Sequence, residues 1–159
     1  MRPASILTIS LYLPLFILIL VQGCSDNGNG TVFETTFNLR NASGQDLTRF
    51  ANGEPITFVL SVTNLTDTSQ RITLPSSQQY DFLVLQGHRG PILWQWSHGK
   101  GFLTVITELQ FAPHETKTFS EIWDQKNNNG DPVGPGNLEA EGFFLTLEAL
   151  AAFVALTIQ

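Results

Sequence analysis

The chain of 159 residues has room for one domain of ordinary size and little else. Its formal charge of −6 leaves no basic stripe for nucleic acid and no electrostatic pull toward anionic lipid headgroups. A single cysteine excludes an internal disulfide, while twelve Phe and three Trp supply ample core-forming surface.

Met1 and Arg2 give a basic start, and Ile6 to Val21 is an almost wholly apolar run of about sixteen residues. That is the layout of a secretory leader, and it is short of the about twenty residues a membrane span requires. Pro14 lies inside the run, so a signal peptide over residues 1–23 is favoured over a permanent membrane helix. The run ends in Val21-Gln22-Gly23-Cys24, which resembles the bacterial lipobox, with Gln22 where a small residue is usual. Alkylation of the Cys24 thiol at the membrane surface and cleavage before it would leave an acylated N-terminus. Each buried methylene contributes about 0.8 kcal/mol, so two or three acyl chains form a stable anchor. Loss of Arg2 with the leader takes the formal charge from −6 to −7. The expected location is the cell membrane or outer membrane, with the domain facing the periplasm or exterior and the membrane touched through the lipid only. Residues 24–31, with Ser25-Asp26-Asn27-Gly28-Asn29-Gly30, have the composition of a flexible tether. Asn29, Asn41 and Asn64 sit in glycosylation sequons, which are read as chance beside a bacterial lipobox.

Residues 32–159 read as strands and turns. Ile56, Phe58, Leu60 and Val62 alternate with Thr57, Val59, Ser61 and Thr63, the period of a half-buried strand. Tyr80, Phe82 and Val84 share a face of the next strand, and Ile92, Trp94 and Trp96 share a face of another. Lys117, Phe119, Glu121 and Trp123 alternate with Thr118, Ser120, Ile122 and Asp124, leaving the inward side open. Phe143, Leu145 and Leu147 predict a further strand and Phe153–Ile158 the last, with a short helical turn over Leu147–Ala152 between them. Gly53-Glu54-Pro55, Gly87–Pro91, Pro113-His114-Glu115 and the longer Asn127–Gly136 are the turn signals. The expectation is an all-β, immunoglobulin-like antiparallel β-sandwich of seven to nine strands. A small closed barrel is the competing reading, because alternation looks alike in both.

The stretch Ile56–Asp124 resembles the BsuPI family of intracellular proteinase inhibitors. The residues that carry the likeness are Phe58-Val59-Leu60-Ser61-Val62-Thr63-Asn64, then Ser76-Ser77-Gln78-Gln79-Tyr80-Asp81-Phe82-Leu83-Val84. They continue through Ile92-Leu93-Trp94-Gln95-Trp96-Ser97, Phe102, Phe111-Ala112-Pro113-His114-Glu115 and Ile122-Trp123-Asp124. The resemblance implies an immunoglobulin-like sandwich and inhibition of a subtilisin-like serine protease. The family name says intracellular, whereas the leader here directs export, so the target would lie outside the cytoplasm. Pro135-Gly136-Asn137-Leu138 lacks the Tyr that often follows Pro-Gly in the family.

The residues suggest no enzyme chemistry. His88, His98 and His114 fall in predicted loops without metal-ligand spacing, so no metal or cofactor is expected. Asp124–Asp131 superficially resembles a calcium loop, but its ligands are out of register and a hairpin loop is preferred. No Gly-x-Ser-x-Gly and no phosphate loop occur. Trp94 and Trp96 would form a ligand platform if exposed; core is favoured for at least one. An inhibitor would present a preorganised loop, losing little entropy on docking. The candidates are Gly87, His88, Arg89 and Gly90 in the short loop, and Asn129, Gly130, Asp131 and Pro132 in the longer one. The longer is preferred for its reach. The alternative is a non-inhibitory binding or scaffold module of the cell envelope, whose partner is another envelope protein.

Overall fold

The computed structural model describes residues 31–146 and 150–159, so the leader, Cys24 and Asn29 lie outside the described residues. The described chain is all β. Its strands are β1 (Phe33–Arg40), β2 (Arg49–Phe50), β3 (Ile56–Asn64), β4 (Gln70–Leu74) and β5 (Tyr80–Leu85). They continue with β6 (Ile92–Gln95), β7 (Thr107–Phe111), β8 (Thr116–Trp123), β9 (Gly136–Phe144) and β10 (Leu150–Ile158). Three open sheets result, with orders β1-β3-β8, β2-β10-β9-β5-β6 and β4-β7, and the closed barrel is thereby set aside.

The core is built by period-two alternation. Ile56, Phe58, Leu60 and Val62 of β3 are wholly buried and meet Phe82 and Val84 of β5 and Ala140 and Phe144 of β9 in one cluster. Phe58 lies at its centre, with ring centroids 5.6 Å from Phe37, 5.7 Å from Phe82 and 6.0 Å from Trp123. Burying each such side chain contributes roughly 1.5–3 kcal/mol. Ile72, Leu74 and Phe111 bring the small β4-β7 sheet onto the same cluster. At Gly142 of β9 a Cβ would stand 3.0 Å from the Phe37 ring and 3.1 Å from Leu60, so the absent side chain lets the sheets close.

Several expectations need correction. There are ten described strands, more than the seven to nine predicted; β2 is only two residues long. β2 pairs with β10 in parallel, so the sandwich is not purely antiparallel. β9 starts at Gly136 and ends at Phe144, so Leu145 lies beyond it. Leu150–Ala152 are strand rather than a helical turn, and residues 147–149 are not described. Ile92 is 50% exposed and does not share the buried side of Trp94. The cause is a bulge: Val84 faces Trp94 and Leu85 faces Ile92, which leaves Leu93 as an extra residue and breaks the alternation. In β8 the inward side carries Lys117, Phe119, Glu121 and Trp123, while Ile122 is 67% exposed.

Asn64, one of the sequons, is completely buried. Its amide donates to the carbonyls of Thr68 and Ala112, each at 2.8 Å, and its oxygen accepts from Thr66. It therefore stitches two loops together and offers no nitrogen to a glycan.

Candidate functional site

One corner of the domain is fixed by two sequence motifs gripping each other. Strand alternation sends Tyr80 and Phe82 inward and Asp81 to the opposite face, where it is only 6% exposed. The Asp81 carboxylate accepts from the Phe82 and Ser97 N–H groups at 2.9 and 3.1 Å. It also accepts from the Ser97 hydroxyl at 2.6 Å and the Gln95 amide at 2.5 Å. On the inner side Tyr80 stacks between Trp96 and Phe119, with centroids at 4.6 and 4.9 Å. Its hydroxyl donates to Glu121 Oε1 at 2.6 Å. Burial, reinforced by that carboxylate, pushes the Tyr80 hydroxyl well above the usual tyrosine range. Tyr80-Asp81-Phe82 and Trp94-Gln95-Trp96-Ser97 are therefore one mechanical unit that sets where the chain leaves β6.

Trp94 and Trp96 both pack on the core and are half-buried. The Lys100 ammonium stands 3.7 Å from the Trp96 ring centroid, and Phe102 packs 5.9 Å away. Trp96 is thus covered by its own chain and is no open platform.

The short candidate loop is a tight turn between β5 and β6, closed by Gln86 N–H donating to Pro91 O at 2.9 Å. Gly87 and Arg89 have φ of 71° and 54°. Gly90 is obligatory on space alone, since a Cβ there would fall 1.9 Å from Gln86 O. The turn is held to β9 by Glu139, only 5% exposed: His88 Nδ1 lies 2.7 Å from Oε2, and the Arg89 N–H donates to Oε1 at 3.2 Å. His88 holds the Glu139 carboxyl below the usual range. Glu141, two residues on and on the same face, is pushed up by burial first and then by the Glu139 charge.

The longer candidate loop is equally tied down. The Asn127 side-chain oxygen accepts from the Asn129 and Asp131 N–H groups at 2.9 and 3.0 Å, and Gly130 turns the chain with φ of 86°. Asn127 N–H donates to Asp131 O, and Lys126 bridges Pro132, so this is the hairpin expected in place of a calcium loop. Asn128 docks it onto β6, donating to Leu93 O and accepting from Gln95 N–H, both at 2.9 Å. At its start Gln125, 2% exposed, donates to the carbonyls of Ala51 and Glu54 and accepts from Gly53 N–H. Asn127 and Pro132 of the longer loop line a groove of about 480 Å³ with Gln86, the residue before the short loop, while Gly87, His88, Arg89 and Gly90 do not line it.

Sequence reasoning passed over a third segment, Gly101–Ile106, which joins the Trp96 corner to β7. Its side chains Leu103, Val105 and Ile106 are 71%, 50% and 73% exposed. Leu103 is pinned to Ser77, its carbonyl accepting from Ser77 N–H at 3.0 Å and its N–H donating to Ser77 Oγ at 2.9 Å. The chain is held again at Thr107, which pairs with Leu74. Between the pins, Thr104, Val105 and Ile106 carry no backbone-to-backbone hydrogen bond among the described residues. The sequence signal, an apolar Phe-Leu-x-Val-Ile run, reads as a core strand and hides the exposure.

Among the described residues the serine and histidine side chains nearest to carboxylates are each held in a pair or network. The Ser97 hydroxyl is bound to Asp81 directly, His88 to Glu139 and His114 to Asp67. Among the described residues no group of three or more His, Cys, Asp or Glu could hold a metal ion.

A family described as BsuPI, intracellular proteinase inhibitor, matches residues 33–149. No curated protein matches the chain. Among solved structures the chain is similar to a β-glucosidase from Listeria innocua, at 12% identity and TM-score 0.43, over 79% of this chain and 16% of that one. It is similar also to a cycloisomaltooligosaccharide glucanotransferase from Paenibacillus sp., at 11% identity and TM-score 0.44, over 77% and 13%. A third is the C-terminal domain of wzt, at 10% identity and TM-score 0.47, over 80% and 74%. The chain thus spans about a sixth of the length of the first of these.

Proposed function

We propose, because the chain belongs to the BsuPI intracellular proteinase inhibitor family, that it acts by binding a subtilisin-like serine protease outside the cytoplasm while tethered to a membrane through Cys24. The family supplies the coarser statement plainly: this is a proteinase-inhibitor-like domain and not an enzyme. The observation that carries the reading is that the matched span, residues 33–149, contains the whole Asp81–Ser97 and Tyr80–Trp96 lock. Such a lock gives an inhibitor what it needs, a rigid body that holds exposed loops without further ordering on docking. Membrane tethering rests on the leader and on Val21-Gln22-Gly23-Cys24.

Two measurements test this. The full chain is assayed against subtilisin with a peptide substrate, and dose-dependent inhibition is expected; none at any concentration would end the protease reading. Mass spectrometry of the mature protein is expected to show an N-terminal acylated Cys24; an intact Met1 with a free thiol would return the protein to the cytoplasm.

One observation favours the non-inhibitory binding module as the second reading. Phe153 on β10 is 67% exposed, on the outer face of the five-stranded sheet. Co-purification with an envelope assembly and without a protease would select it.

A further inference from the structure

We infer that the protease-contacting segment is Leu103–Ile106, inserted in extended form into a cleft that accepts bulky aliphatic side chains. The inference rests on the inhibitor reading and adds to it the contact segment and the class of target. Three observations lead there.

The first is exposure of the wrong kind for a soluble surface. Leu103, Val105 and Ile106 present three aliphatic side chains within four residues, at 71%, 50% and 73% exposure. Scattered apolar residues on a surface need no explanation, but a contiguous run of them on one loop marks a contact.

The second is backbone availability. A protease binds a segment in its cleft as an added strand, through main-chain hydrogen bonds, with side-chain pockets setting specificity. Thr104, Val105 and Ile106 have no backbone-to-backbone hydrogen bond among the described residues, the Val105 carbonyl accepting only from Thr107 Oγ1 at 3.3 Å, whereas Gly87 and Gly90 are bonded to each other, Pro91 to Gln86, and Asn127 to Gly130 and Asp131.

The third is preorganisation. Leu103 is clamped on Ser77 through both its N–H and its carbonyl, Phe102 lies against Trp96, and β7 takes up the chain at Thr107. Three residues therefore lie between fixed points, and little conformational entropy is lost when a cleft closes around them. The chemistry of the side chains excludes a cleft built for a basic residue, which would instead have suited Arg89.

The test compares full-chain variants against subtilisin, with trypsin as the probe for a basic-preferring cleft. Wild type is expected to inhibit subtilisin and not trypsin. Leu103→Asp and Ile106→Asp are each expected to weaken inhibition about 30-fold or more, the loss typical of a central anchor. Both side chains are mostly exposed, so unfolding curves matching wild type establish that the fold is intact, and Leu103→Met is expected to retain inhibition. Replacing Arg89 by Ala, or Asn129-Gly130-Asp131 by Gly-Ser-Gly, is expected to leave inhibition within about threefold. Wild-type inhibition that survives Leu103→Asp and Ile106→Asp, or that is lost in either loop variant instead, would overturn the inference while leaving the inhibitor reading intact. Failure of the wild type to inhibit would overturn both.

Discussion

The two turn-rich loops and the Gly101–Ile106 segment are opposites. The loops have the Gly, Pro and Asn composition that marks a flexible surface, yet they are bound down: Glu139 anchors one, and Asn127, Asn128 and Gln125 anchor the other. Gly101–Ile106 has the composition of a buried strand, yet its aliphatic side chains stand in water. Turn composition therefore tells how a chain reverses direction, and says little about where a partner docks. Exposed apolar surface and backbone not paired with other backbone, held between fixed points, say more.

The hardest way to break this contrast is to cut the corner from which the exposed segment departs. Asp81→Ala removes an acceptor of four hydrogen bonds from a buried site and strands the Ser97 and Gln95 donors. A loss of about 3 kcal/mol in urea unfolding is expected, accompanied by weaker inhibition from the molecules that remain folded. Unchanged stability would mean that the Asp81–Ser97 contact is decorative. Tyr80→Phe probes the other side of the same corner. It deletes one hydrogen bond to Glu121 and keeps the stacking on Trp96, for an expected loss of about 1 kcal/mol. In the wild type an alkaline absorbance titration should find the Tyr80 hydroxyl still protonated beyond the normal tyrosine range, since burial and Glu121 both raise it.

The smallest expected effect sharpens the contrast at the tied-down turn. Glu139, lowered chiefly by His88, gives stability that is present above the ordinary glutamate value of 4.5 and is lost as pH falls through its lowered value. Glu141 is raised, so its contribution is present at low pH and is lost as pH rises through its raised value. The two oppose each other. Glu141→Gln removes the second and should leave stability near wild type at pH 3, with a gain of about 0.5 kcal/mol at pH 7. A variant less stable than wild type at pH 7 would reverse the sign assigned to Glu141.

Long, strictly alternating segments were legible in the sequence. Ile56–Val62 lies where the pattern puts it, because four wholly buried aliphatic and aromatic residues on one face permit no other register. The Gly87–Pro91 hairpin was legible because Gly87, Gly90 and Pro91 punctuate two apolar runs, and the structure shows that Gly90 has no room for a side chain. β4 and β7 were not, since Gln70-Arg71-Ile72-Thr73-Leu74 and Thr107-Glu108-Leu109-Gln110-Phe111 carry too few apolar residues to outweigh their polar ones. The parallel pairing of β2 is fixed by tertiary position alone, through Thr157 N–H donating to Thr48 O and Gln159 N–H to Phe50 O. Of the candidate site, the loop positions could be read, but what holds them could not. Glu139 reaches His88 across 51 residues of sequence, and no local pattern announces such a contact.

Hydrogen exchange of the full chain, alone and with a catalytically inactive subtilisin, tests the docking claim most directly, because it reads all three segments in one experiment. Alone, the amides of Thr104, Val105 and Ile106 should exchange fast. With the protease they should slow by about tenfold or more, while those of residues 87–90 and 129–131 stay as they were. Slowing confined to either turn, or none in any segment, would contradict it.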